Sequence, residues 1–142
     1  MPDKVKERIV LTATIPLDTP TSRGIVYPKK EMEKAVEKYL EKHKGKVMLG
    51  ALNPDFEISS CIMNLLNVSH QITKLEVKES DLLCQVLLLD TPMGKVVKNL
   101  YNETNTLNFT PKILCHYEEE QQEDGTVKRE MKIDELLSID II

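Results

Sequence analysis

The sequence predicts an α+β fold with a mostly antiparallel sheet. Three observations lead there. Two stretches carry apolar residues at spacings of three and four, bounded by helix start and stop signals. Several short stretches alternate apolar and polar residues or are rich in β-branched ones. Two of those lie back to back across a turn, as a hairpin requires. The total is six or seven strands and two helices. With 142 residues the chain suits a single domain, 1–142. Hydrophobic residues at 41% and charged residues at 30% give enough apolar surface for a core.

The first strand is Arg8 to Ile15, rich in β-branched side chains. Pro16, Pro20 and Gly24 mark the loop that follows. Pro28, with its fixed φ, suits a first helical turn, and the spacing predicts a helix over Lys29 to Lys44. Met32, Ala35, Val36, Tyr39 and Leu40 form its apolar face, Lys42 to Lys44 suit the negative end, and Gly45 stops it. Lys46 to Leu52 reads as a short buried strand, and Asn53-Pro54-Asp55 as a turn. Ser59 to Asn64 fits a short helix or an irregular crossing. Val68 to Val77 and Leu82 to Leu89 are the hairpin strands, with Glu79-Ser80-Asp81 between them. Thr91 can cap a second helix and Pro92 is preset for its first turn. Val96, Val97, Leu100 and Tyr101 supply its apolar face, and it should end within Asn102 to Asn105. Thr106 to Tyr117 is extended, broken by Pro111. The acidic run Glu118 to Gly125 reads as a solvated hairpin loop leading to a strand over Thr126 to Ile133. The terminal LLSIDII is a last apolar strand.

Composition also excludes functions. A formal charge of −4 gives no general attraction to nucleic acid or to an anionic membrane. Aromatics are 4%, without Trp, which leaves no platform for stacked bases. No stretch approaches the ~18 apolar residues of a membrane helix, and the charged start MPDKVKERIV lacks a signal-peptide core. Cys61, Cys84 and Cys115 are too few and too scattered for a disulfide framework and read as buried, reduced thiols. No cysteine or histidine spacing matches a zinc site, so neither metal nor cofactor is expected. Gly94-Lys95 lacks the rest of a phosphate-loop pattern. Lys95, Lys98 and Lys112 make at most a modest basic patch.

Five segments, GIVYPKKEMEKAVEKYL, VMLGALNP, NVSHQITKLEV, LLLDTPMGKVVKNL and LLSIDII, occur in an order and spacing that resemble the prohead (capsid maturation) proteases of large tailed phages. The similarity spans about Arg23 to Ile142. It implies the fold of herpesvirus assemblin, a bent, mostly antiparallel β-barrel surrounded by helices. It also implies a serine protease that trims scaffold and capsid proteins. In the family a stretch like LGVSSRG carries the nucleophile. Here it reads Leu107-Asn108-Phe109-Thr110-Pro111-Lys112, with Thr110 at the serine position. A family histidine in a stretch like LGELDHP is replaced, since Leu49 to Pro54 places Asn53 there. His70 matches a second family histidine, the third member of a triad.

These departures are chemical. A hydroxyl is a poor nucleophile unless a neighbouring base takes its proton, and asparagine cannot. The β-methyl of Thr110 restricts its rotamers, and Pro111 removes a backbone N–H where oxyanion donors often sit. His70 therefore reads first as a packed strand histidine, and Thr110, His70 and Asn53 as degenerate catalytic positions. The expected role is a phage virion or capsid-assembly protein that binds capsid or head proteins. It would act in the virion or in host cytoplasm during assembly, with homo-oligomers possible. The alternatives are an active maturation protease using Thr110 as nucleophile, and a non-cleaving regulator of the true protease.

Overall fold

A computed structural model describes residues 8–52 and 65–142. Their elements run β1 Val10–Pro16, α1 Lys29–Lys42, β2 Met48–Ala51, a 3-10 turn Leu65–Asn67, β3 Val68–Lys78, β4 Asp81–Leu88, α2 Pro92–Thr104, β5 Phe109–Gln121 and β6 Val127–Ile141. The sequence places the elements from β1 to α2, the short turn apart, and the start of β5, and it divides β6 into two strands. The readings at Asn53-Pro54-Asp55, Ser59 to Asn64 and Cys61 lie outside the described residues.

The strands form two antiparallel sheets, one ordered β1-β4-β3-β2 and the other β5-β6. A parallel bridge from Leu52 to Ile141 joins them along a seam. Among the described residues the hydrogen bonding does not close these six strands into the barrel that the resemblance implies.

The β3–β4 hairpin forms where expected, and Glu79 takes the positive φ (55°) that its tight turn needs. Helix α1 lays Met32, Ala35, Val36 and Tyr39 against β3 and β6. It stops two residues short of the expected end. The His43 imidazole folds back to the Tyr39 carbonyl (2.9 Å), and Gly45 takes φ +75° beyond it. Leu40, expected on the apolar face, is 37% exposed, so the buried stripe is narrower than the pattern suggests.

Helix α2 begins as expected. The Thr91 hydroxyl accepts the Gly94 N–H (3.0 Å) and donates to the Val68 carbonyl (2.5 Å), tying the helix to β3. Its apolar face differs from the expectation. Val97 and Gly94 are buried, whereas Val96 and Leu100 lie in solvent, because the helix meets the sheet along the Gly94–Val97 side. A Cβ at Gly94 would come within 1.9 Å of the Leu89 carbonyl oxygen. This glycine permits close helix packing, and Lys98, of the modest basic patch, is paired with Asp90.

The C-terminal part departs most from expectation. Only the second half of the acidic run, Gln122 to Gly125, is the hairpin turn; Glu118, Glu119 and Glu120 lie within β5, paired with Glu130, Arg129 and Lys128 of β6. The stretch Thr126 to Ile133 and the terminal apolar strand are one continuous strand, so β5–β6 is a long ribbon. Charged residues are tolerated there because both faces of its outer half lie in water. Pro111 does not break β5, because a two-stranded ribbon has an outer edge that needs no N–H.

The main core gathers Ile15, Leu17, Met32, Tyr39, Ile72, Leu82, Val86 and Ile139 between α1 and the sheets. A smaller cluster, Leu52, Leu88, Val97 and Ile141, sits at the seam under α2. Cys84 belongs to the core, where burial pushes its thiol up to about 12. Cys115 is exposed, against expectation, because it lies where the ribbon leaves the body.

Candidate functional site

His70 lies near the start of β3, between Gly50 of β2 and Leu88 of β4, and is fully buried. Its Nε2 is 2.7 Å from the Ile139 carbonyl oxygen of β6, and its Nδ1 is 2.8 Å from Ser69 Oγ. A carbonyl only accepts, so the proton sits on Nε2, and Nδ1 accepts from the Ser69 hydroxyl. That network suits the neutral Nε2–H tautomer. Burial agrees, lowering the ring's pKa from 6.5 against the opposing pull of the Ile139 carbonyl. Gly50 makes room for this link: a Cβ there would stand 2.0 Å from Nε2 and 2.4 Å from the Ile139 oxygen. Phe109 closes the side of the ring edge-on, with centroids 6.0 Å apart.

Thr110 is in β5, paired across the ribbon with Asp140, and is 6% exposed. Its hydroxyl is hydrogen-bonded to Tyr27, whose own pKa burial raises above 10. Thr110 helps line a cleft of about 250 Å³ between β1, the Thr21–Arg23 loop, Tyr27 and Leu107–Pro111. Both β1 and β5 are edge strands of their sheets.

The structure therefore places the two described candidates on different networks. The hydrogen bonds of His70 go to Ser69 and Ile139, and that of Thr110 goes to Tyr27. Asn53 lies outside the described residues. His43 and His116 sit elsewhere, at the end of α1 and on the ribbon. Among the described residues no cluster of His, Cys, Asp and Glu has the arrangement of a metal site. No described helix is long and apolar enough to cross a membrane.

Sequence reasoning missed Asp140. It is 1% exposed, and its Oδ1 accepts the Ala51 N–H (2.9 Å) and the Ser138 hydroxyl (2.9 Å). Desolvation raises its pKa against these hydrogen bonds and the charge of Lys112. A carboxylate inside an otherwise apolar strand was the available signal. With the His70–Ile139 contact and the Leu52–Ile141 bridge, Asp140 holds β2 and β3 to β6 across the seam.

A protease of phage assembly shares this architecture. The bacteriophage T4 capsid assembly protease, gp21, superposes with a TM-score of 0.58 over 92% of this chain and 80% of its own, at 16% sequence identity. The chain has a prohead-protease-like fold. At that identity the likeness is one of fold. No protein-family model matches the sequence, and no curated protein does.

Proposed function

We propose that this protein is a phage capsid-assembly component that uses a prohead-protease-like fold to bind head proteins without cutting them. The observation that carries this reading is the commitment of His70. Both ring nitrogens are occupied inside the core, so the imidazole has no nitrogen left for the Thr110 hydroxyl. By the resemblance, the position of the family's other histidine is Asn53. Tyr27 is no substitute base, since its raised pKa keeps it protonated at neutral pH. In well-studied serine hydrolases, loss of the histidine base alone costs about six orders of magnitude in rate.

Binding needs less. The cleft beside Thr110 runs between two edge strands, whose free backbone groups suit an extended segment of a head protein. In this reading the two sheets are halves of the bent barrel, and the protein acts in host cytoplasm during assembly or stays in the virion. It needs no cofactor.

The test is incubation of the purified chain with scaffold and capsid proteins, beside a Thr110→Ala variant. No cleavage is expected from either. Defined products that vanish in the variant would instead establish an active protease with Thr110 as nucleophile. Mass spectrometry of immature and mature particles should find the chain in at least one of them. Absence from both, with capture by an active maturation protease, would favour a non-cleaving regulator.

A further inference from the structure

Strand β1 lies at the edge of its sheet with an open outer side. The Leu88 N–H donates to the Ile9 carbonyl and the Leu17 N–H to the Ser80 carbonyl, and the register between these two bonds is unbroken. Antiparallel pairing alternates. Leu11, Ala13 and Ile15 therefore turn their backbone groups to β4, while Val10, Thr12, Thr14 and Pro16 turn theirs outwards. Val10, Thr12 and Thr14 are exposed, and no hydrogen bond takes their N–H groups among the described residues. Folded proteins blunt such edges with charge, bulges or proline. From Val10 to Ile15 this one has no charge, no bulge and no proline. The β5 edge, by contrast, carries glutamates and two register shifts.

The open edge leads into the cleft beside Thr110 and stops there. Pro16, the next outward residue, lines the cleft and has no N–H. On the opposite side the Ile142 N–H donates to the Asn108 carbonyl, so the same alternation turns Phe109 and Pro111 outwards. Pro111 has no N–H either. Both flanking strands thus lose a main-chain donor in the cleft. Among the described residues that line it, Arg23 alone is charged. Arg23 has no carboxylate partner among the described residues. Its charge reaches the Tyr27 hydroxyl, where it opposes the burial that raises that group's pKa.

We propose, building on the reading of this cleft as a head-protein site, that it captures the free C-terminal end of an extended partner chain, which adds to β1 as a parallel strand and sets its terminal carboxylate on Arg23. In a parallel segment, the residue whose N–H bonds the Thr14 carbonyl turns its own carbonyl towards Pro16. A chain that ran on would leave that carbonyl without a donor. A chain that ends there carries a carboxylate instead, which the arginine fork holds through two parallel bonds. An acidic side chain within a longer segment would satisfy Arg23 but not the main-chain carbonyl at Pro16. The opposite orientation would bring the amino end of the partner to Arg23, against its charge. Strand addition supplies the affinity and the terminal charge the specificity.

The test uses two pools of short random peptides, acetylated at the N-terminus and ending either in a free carboxylate or in a carboxamide. Each is passed over the immobilised full chain, and mass spectrometry measures what is retained. The carboxylate pool is expected to be retained at least about tenfold more than the carboxamide pool. Arg23→Gln, on an exposed loop, should abolish that difference with circular dichroism unchanged. Amide hydrogen exchange locates the contact. Thr12 and Thr14 should gain protection from the retained peptides, while Ala13 and Ile15, already bonded to β4, change little. Equal retention of the two pools, a difference that survives Arg23→Gln, or protection away from β1 would each overturn the proposal. Capture of whole scaffold or capsid proteins without any preference for free carboxylates would overturn it alone. Capture of neither proteins nor peptides would overturn the head-protein reading as well.

Discussion

His70 couples the fold to pH. Its folded pKa lies below the ordinary 6.5, so between those values the folded chain binds fewer protons than the unfolded one. Stability is full above 6.5 and falls as pH drops towards the depressed value. Asp140 acts with the opposite sign. Its folded pKa is raised above 3.8, so its contribution favours folding as pH falls through that raised value. The His70 contribution to the urea midpoint should decline as pH falls below 6.5, partly offset by His116, whose pKa Asp134 and Glu118 raise. Asp140→Asn removes a gain of opposite sign that sets in only as pH falls through the raised carboxyl value, so it should steepen the decline at its acid end. Gly50→Ala is predicted to cost about 1–3 kcal/mol in urea unfolding, because its methyl displaces the bond between His70 and Ile139. That His70 is a packed histidine was legible from its place in an alternating strand. The roles of Gly50 and Asp140 were not, because their partners lie far along the chain: Asp140 meets Ala51 and Gly50 meets Ile139.

Elements were more legible than contacts. Thr91-Pro92 announced α2 because a cap is a local interaction, whose loss alone costs about 1 kcal/mol, and Thr91→Ala should destabilise the protein by more than that in denaturant titration. The loss should exceed that of a cap alone, since the same hydroxyl also holds the Val68 carbonyl. In the core, Met32→Ala is expected to cost about 2–5 kcal/mol by the same measurement, since the side chain is fully buried under α1. The exposure of Val96 and Leu100 was not legible. Helical spacing marks every apolar residue on a broad arc but not which edge of the arc the sheet receives. The ribbon was misread for a related reason. Charge is a sign of solvent, and a strand with water on both faces shows it as readily as a loop does.

At the scale of the whole molecule, class and element order follow from periodicity, whereas the division into two sheets does not. It is set by three contacts at the seam: the bond between His70 and Ile139, that between Ala51 and Asp140, and the bridge between Leu52 and Ile141. Each joins residues about 70 to 90 positions apart in the chain. The β3–β4 and β5–β6 hairpins, by contrast, close over turns of a few residues. Loop-closure entropy therefore separates the two kinds of contact in time during refolding. The hairpins are expected to assemble early and the seam to lock afterwards, so Ser138→Ala, which removes one partner of Asp140, should accelerate unfolding while leaving the refolding rate nearly unchanged in stopped-flow experiments.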